Sequence, residues 1–187
     1  MGANLFNDSY LFNKTQLKEI RIGKKKGLDV SIYAIPAFSG SQMREIRKGL
    51  ESGVDVSIYA KPVFNGAQMM QIRLGLEEGL DVKFYANHQF SPYKMYCIRI
   101  GLQKGWDISV YANNLFDDFQ LYEIMRGLNL GVDVKLYANP EFNQSQMREL
   151  CYGLEDGIDV SAYADPSIPA EEMKERRESI SKYMKLL

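Results

Sequence analysis

Residues 38–63 read FSGSQMREIRKGLESGVDVSIYAKPV, and the chain carries this 26-residue segment six times without an insertion. Phe12, Phe38, Phe64, Phe90, Phe116 and Phe142 open the six repeats, which fill residues 12–167 of the 187. A fixed period in this range is the signature of a solenoid, in which each repeat buries its apolar side mainly on its neighbours. The period points to an architecture and names no reaction.

Each repeat announces a helix. Position 2 is Asn13, Ser39, Asn65, Ser91, Asp117 or Asn143, all good N-caps. Gln stands three residues later in five repeats, Gln42 for example, with Lys94 the exception, which makes a capping box. Phe38 before the cap and Met43 after it form a hydrophobic staple, and Pro92 sits at the first helical position, where proline is tolerated. An invariant glycine at position 16 (Gly27, Gly53, Gly79, Gly105, Gly131, Gly157) is the residue expected just past a last turn. The helix between these signals has about 13 residues and a length of roughly 20 Å. Its apolar stripe is positions 6, 9 and 13, as in Met43, Ile46 and Leu50.

Position 12 is also glycine in all six repeats: Gly23, Gly49, Gly75, Gly101, Gly127 and Gly153. A mid-helix glycine costs about 0.8–1 kcal/mol relative to alanine, so packing must offset it. The expectation is that the backbone of the adjacent repeat approaches the helix there.

The second segment, VDVSIYAKP in residues 54–62, has two readings. Val54, Val56, Ile58 and Ala60 alternate with polar or aromatic residues as a strand would, which gives an α/β leucine-rich-repeat-like horseshoe. Tyr and Ala at positions 22 and 23 never vary, however, while position 20 swaps Ser for Lys. A strand would put the fixed Tyr on the face of that variable position. A helical turn instead groups positions 19, 22 and 23, with the invariant Asp at position 18 as its N-cap and Pro at position 25 as its stop. A short α or 3₁₀ helix is favoured. The expected fold is therefore all-α: an α-solenoid of six repeats, each a long helix and a short one.

The motif QMxxIRxGLExGxDVSxYAxPxF, matched best by residues 38–87, resembles an uncharacterised tandem repeat of bacterial proteins, often on mobile elements. The architecture resembles the leucine-rich-repeat-variant class of helical solenoids. The resemblance implies a helical fold and no assigned activity. Residues 1–187 are read as a single repeat domain, with 1–11 a degenerate lead-in and 168–187 a capping helix. In the cap, Arg176 replaces the core Ile and Ser179 the Gly, giving the polar outer face that terminal repeats need.

Composition is that of an ordinary soluble chain, 45% hydrophobic and 25% charged, with net charge −1. No apolar run reaches the length of a membrane span. MGANLFNDSY lacks the basic-then-apolar order of a secretory signal, and Phe6 stands where myristoylation of Gly2 wants Ser or Thr. Cys97 and Cys151 both fall on expected helices and read as reduced thiols of a cytoplasmic protein, with Cys97 on the exposed side of its helix. Residues 1–61 hold ten Lys or Arg against six Asp or Glu, while the rest hold 13 against 18. So mild a polarity argues against a strong general nucleic-acid binder.

Function is expected where exposed positions vary between repeats. Positions 4, 7 and 11 lie opposite the apolar stripe. They read Thr15, Lys18, Ile22 and then Ser41, Arg44, Lys48 in the first repeats, but Ala67, Met70, Leu74, then Tyr93, Tyr96, Ile100, then Phe119, Tyr122, Arg126 in the middle. Contiguous exposed apolar surface marks interaction sites, and Tyr, Met and Arg are enriched in them. Met70, Leu74, Tyr93, Tyr96, Ile100, Phe119 and Tyr122 are therefore the candidate anchors for a protein partner. The basic margin is Arg44, Lys48, Arg126 and Arg148, and homodimerisation is the second use of the face.

Arg21, Arg47, Arg73 and Arg99 recur at position 10 and form a candidate phosphate-binding ladder, the basis of an alternative nucleic-acid-binding reading. Local pairing is favoured over that reading, with the position-18 Asp or helix C-terminal carbonyls as candidate partners. The six Tyr of position 22 read as interior packing with one tethered hydroxyl each. Catalysis finds no support: His88 is the sole histidine, zinc-type Cys/His spacing is absent, and Lys24, Lys25 and Lys26 do not belong to a GxxxxGK[ST] loop. No cofactor is expected.

Overall fold

The computed structural model describes residues 11–186, so nearly all of the expected lead-in at 1–11 lies outside the described residues. Seven α-helices follow one another: α1 (Lys14–Lys25), α2 (Gly40–Ser52), α3 (Gly66–Glu77), α4 (Pro92–Lys104), α5 (Asp118–Leu130), α6 (Gln144–Glu155) and α7 (Ala170–Met184). A three-residue 3₁₀ turn follows each of the first six: Val30–Ile32, Val56–Ile58, Val82–Phe84, Ile108–Val110, Val134–Leu136 and Val160–Ala162. Among the described residues there is no strand. The fold is an all-α helical repeat of the α-solenoid class, and the strand-bearing horseshoe is set aside. The chain forms two compact units, one up to Gln103 and one from Lys104 onward.

Local chemistry explains where the helices start and stop. Capping boxes close α1, α2, α3, α5 and α6. At α2, the Ser39 amide donates to Gln42 Oε1 at 2.7 Å while the Gln42 amide donates to Ser39 Oγ at 3.3 Å. The position-16 glycines have φ between +69° and +75°, the left-handed region that side chains with a Cβ resist. Beyond Gly53, the Val54 amide returns to the Gly49 carbonyl at 3.1 Å, completing a Schellman-type end.

The capping Gln does a second task. Gln42 Nε2 donates to the carbonyls of Pro62 at 3.1 Å and Phe64 at 2.6 Å, at the entry of α3. Gln16, Gln68, Gln120 and Gln146 repeat the arrangement, each reaching carbonyls 20 and 22 residues on. One buried carboxamide thus satisfies its own helix N-terminus and holds the entry of the next helix.

The 3₁₀ turns carry the expected caps. Asp55 Oδ1 accepts from the Ser57 amide at 3.0 Å, and the same Asp caps the turn in all six repeats. The Ser57 hydroxyl, and after it the Ser57 amide, hold the Asp55 carboxyl below its usual range. Val56 and Tyr59 turn inward together, and Tyr33, Tyr59, Tyr85, Tyr111 and Tyr137 are fully buried.

These tyrosines explain the mid-helix glycines, and the explanation differs from the expected one. What approaches position 12 is the hydroxyl of the same repeat's own Tyr, not the backbone of an adjacent repeat. A Cβ built at Gly23, Gly49, Gly75, Gly127 or Gly153 would lie 1.7–2.1 Å from that oxygen. The hydroxyl donates to a helix carbonyl one turn before the glycine: Tyr33 to Glu19 at 3.1 Å, Tyr59 to Glu45 at 3.1 Å, Tyr85 to Gln71 at 3.2 Å and Tyr137 to Glu123 at 2.8 Å. The expected tether exists in these four; the Tyr163 hydroxyl is buried without a partner.

The core stripe is wider than positions 6, 9 and 13. Met43, Ile46, Met69, Ile72, Met95, Ile98, Leu121, Ile124, Met147 and Leu150 are fully buried, but Leu50 and Leu76 at position 13 are only half-buried. Positions 5, 8 and 10 turn inward and bring polar groups with them. On α7, Met173 is buried while Arg176 and Ser179 are exposed.

Gly75→Ala is expected to destabilise the protein by about 3 kcal/mol, because its methyl must displace the Tyr85 hydroxyl from a close-packed site. Tyr85→Phe removes that oxygen, so chemical denaturation of Gly75→Ala/Tyr85→Phe should show less than the sum of the two single losses; strict additivity would mean the two do not touch. The buried tyrosines also set an alkaline limit. Burial pushes Tyr33 and Tyr163 up to about 12 from 10.0, and pushes Tyr59, Tyr85 and Tyr137 higher still. The folded state therefore holds protons that the unfolded state releases above pH 10, so stability is full below 10 and falls as pH rises through 12. Tyrosinate absorbance at these sites should rise together with loss of far-UV circular dichroism.

Candidate interaction surface

Most of the recurring polar positions are consumed inside the fold. Arg47 Nε donates to Glu19 Oε2 at 2.9 Å, Arg73 Nε to Glu45 Oε2 at 3.1 Å, Arg99 Nε to Gln71 Oε1 at 3.1 Å and Arg177 Nε to Glu149 Oε2 at 2.9 Å. The partner of each of these four position-10 Arg residues is thus the position-8 side chain of the preceding repeat, 28 residues earlier. This corrects the expectation of the position-18 Asp, which is occupied as the cap of its 3₁₀ turn. A further acidic side chain closes three of these sites: Glu51 on Arg47, Glu77 on Arg73 at 2.6 Å, and Glu78 on Arg99 at 2.6 and 2.9 Å. Burial pushes the Glu77 carboxyl up, but hydrogen bonds from Ser52 and Arg73 outweigh it and hold the group below its usual range.

Arg47, Arg73 and Arg99 are 7–8% exposed and their guanidinium groups face carboxylates or a carboxamide, so of the four candidate phosphate ligands only Arg21 is exposed. The ladder breaks at Met125 and Cys151. With Cys151 in the Arg place, Glu123 receives Arg148 Nε at 3.1 Å and Gln144 Nε2 at 3.2 Å on Oε1, and its Oε2 is buried without a partner. Burial pushes the Cys151 thiol up. Cys97 is fully buried, which corrects its expected place on the exposed side of α4; position 8 belongs to the inward face.

Positions 4, 7 and 11 do face outward, as their lack of burial shows. In the first unit Met70, Leu74, Tyr93 and Ile100 are half-buried and Tyr96 is 39% exposed. The Tyr93 and Tyr96 rings stack with centroids 6.0 Å apart and planes at 26°, and the Arg99 guanidinium lies 5.8 Å from the Tyr96 centroid. Tyr96 is thereby braced in an exposed pose, which lowers the entropy lost on binding. In the second unit Phe119 is 67% and Tyr122 54% exposed. Tyr152, at position 11 of the sixth repeat, lies between the Arg126 guanidinium at 4.2 Å and that of Arg177 at 5.4 Å, and Arg126 also pairs with Glu155 at 2.8 Å.

Sequence reasoning missed two features. One is the position-8 to position-10 pairing, whose signal was Glu or Gln facing Arg at a constant offset of 28. The other is a set of exposed apolar residues on the turn side, including Phe84, Leu115 and Leu136. Phe84 and Leu136 follow Lys83 and Lys135 at the position where the sequence departs from Ser.

His88 is exposed, with its ring edge-on to Phe64 at 6.4 Å. Among the described residues no group of three or more His, Cys, Asp or Glu side chains is placed to hold a metal, and no helix is long and apolar enough to cross a membrane. No family model, curated protein or solved structure matches the chain.

Arg73→Ala should cost about 3 kcal/mol, because it strips the buried Glu45 of its partner on Oε2. Arg21→Ala, at an exposed site in the same ladder position, should change stability by under about 0.5 kcal/mol. Urea denaturation of the two variants checks the contrast; equal losses would show that burial of the pair is not what matters.

Proposed function

We propose that the chain is a non-catalytic interaction module or inhibitor that binds a protein partner through exposed aromatic and apolar side chains of its central repeats. The observation that carries this reading is the exposure of Tyr96, Phe119 and Tyr122, at 39%, 67% and 54%, at repeat positions held by Lys18 and Arg44 or Thr15 and Ser41 in the first two repeats. The scaffold does not use these side chains, and large exposed aromatics are the residue type that anchors interfaces. Met70, Leu74, Tyr93 and Ile100 supply the half-buried apolar surround of the first unit. Burial of Arg47, Arg73 and Arg99 counts against the nucleic-acid alternative. A bacterial tandem-repeat origin on a mobile element and a cytoplasmic setting belong to the same reading, and point toward a role in countering or regulating a host protein.

The test is a variant, Tyr96→Asp/Phe119→Asp/Tyr122→Asp, compared with the parent chain by affinity capture and by light scattering over a hundredfold concentration range. The variant should keep its far-UV circular dichroism and melting temperature and lose captured protein by at least about tenfold. Undiminished capture would overturn the reading. A parent chain that dimerises, and a variant that does not, would assign the face to self-association.

A further inference from the structure

The outward face of the first unit is not uniform. At repeat positions 3, 4, 7 and 11, α1 and α2 carry Lys14, Lys18, Arg44 and Lys48, whereas α3 and α4 carry Met70, Leu74, Tyr93, Tyr96 and Ile100. No Asp or Glu occupies any of these positions in the first four repeats. In the second unit, by contrast, Asp118, Glu171 and Glu178 stand at the equivalent places. Lys14 and Lys18 are exposed and have no carboxylate partner among the described residues. The Arg44 and Lys48 side chains are 52% and 42% exposed. The carboxylate they pair with, Glu45, is buried and shared three ways: Arg44 at 3.2 Å and Lys48 at 3.7 Å on Oε1, and Arg73 at 3.1 Å on Oε2, while Lys48 also feels the charge of Glu77. The α1–α2 half therefore presents a surplus of positive charge, and the α3–α4 half presents an apolar strip ending on a braced aromatic pair.

We infer that this face binds an extended, acidic–apolar peptide segment of a partner protein, with its carboxylates over α1 and α2 and its aromatic or aliphatic residues over α3 and α4. The inference rests on the protein-binding reading above and names the partner's chemistry. Charge complementarity decides the polarity, since carboxylates are drawn to the only part of the face with surplus cations. Geometry decides the length. Packed helices lie about 8–10 Å apart, so the face from α1 to α4 spans roughly 24–30 Å, the reach of about seven to nine extended residues at about 3.3 Å each. A single-stranded nucleic acid fits less well. It carries phosphate at every nucleotide and needs cations along its whole track. Here the exposed cations stop at α2, and Arg73 and Arg99, which would continue the row, are buried in the fold.

The test uses the full chain and fluorescence anisotropy with three labelled probes. One is a ten-residue peptide whose acidic half precedes an aromatic and aliphatic half. The second replaces its Asp and Glu with Asn and Gln. The third is a fifteen-nucleotide oligothymidylate. The acidic peptide should bind at least about tenfold tighter than the neutral one at low salt, and should lose about tenfold between about 50 and 300 mM salt. Lys14→Glu/Lys18→Glu, which disturbs no described ion pair, should erase the preference while leaving circular dichroism unchanged; Arg44→Gln/Lys48→Gln, which leaves Arg73 on Glu45, should weaken it. Equal binding of the acidic and neutral peptides would overturn the inference, as would binding of neither. Tighter binding of the oligonucleotide, weakened by the same charge reversals, would also overturn it and assign the face to nucleic acid. None of these results depends on the loss of captured protein from the aromatic variant, so the broader reading and this one fail separately.

Discussion

In four of the repeats a tyrosine hydroxyl, bonded to a helix carbonyl across a glycine, ties the 3₁₀ turn to its own helix. In the second repeat, Tyr59 reaches the Glu45 carbonyl past Gly49. That carbonyl also accepts the helix bond from the Gly49 amide, and it is open to a second donor only because Gly49 has no side chain to cover it. The mid-helix glycine, unfavourable for the isolated helix, is thus the condition for docking the 3₁₀ turn onto its own helix. The docked turn fixes where the chain leaves each repeat, and so where the next helix begins. The period of 26 can then be kept without insertions.

Between repeats, the links are polar as well as apolar. The capping Gln bonds two carbonyls at the entry of the following helix, and the position-10 Arg bonds the position-8 side chain of the preceding one. Burying such groups adds little net stability, because desolvation offsets much of the attraction. Their geometric demands are strict, however, and a slip of one residue would leave a charge unpaired in the interior. They act as register marks on an apolar stack of Met and Ile. The mark is lost where Cys151 replaces Arg, and the cost is visible there: Glu123 keeps one oxygen without a partner.

Because the recurring residues are spent on the scaffold, the outward positions are free to differ between repeats. The difference is graded in the first unit, from lysine and arginine on α1 and α2 to methionine, leucine and tyrosine on α3 and α4. A scaffold of this kind can change partner by changing three or four side chains per repeat without touching its core. Tyr96 shows how the two sets meet: its ring is exposed, while Arg99, which braces it, is tied to the buried Gln71 and to Glu78.

The helix limits, the caps of the 3₁₀ turns and the polar terminal helix were all legible in the order of residues. Each depends on neighbours within a few positions, and capping boxes, left-handed glycines and Asp caps need no knowledge of the rest of the chain. The outward face was legible for the same reason, since helical spacing from the Met and Ile stripe places positions 4, 7 and 11. What stayed hidden were the choices of partner: the Tyr for Gly49, the position-8 Glu for Arg47 and the Phe64 carbonyl for Gln42. These span 10, 28 and 22 residues, and many polar residues at similar separations compete for each role. Periodicity says that Arg47 recurs and cannot say which carboxylate it meets, because that depends on the rotation of one helix against the next. Packing sets that rotation, and with it the burial of Cys97 and of the arginine ladder.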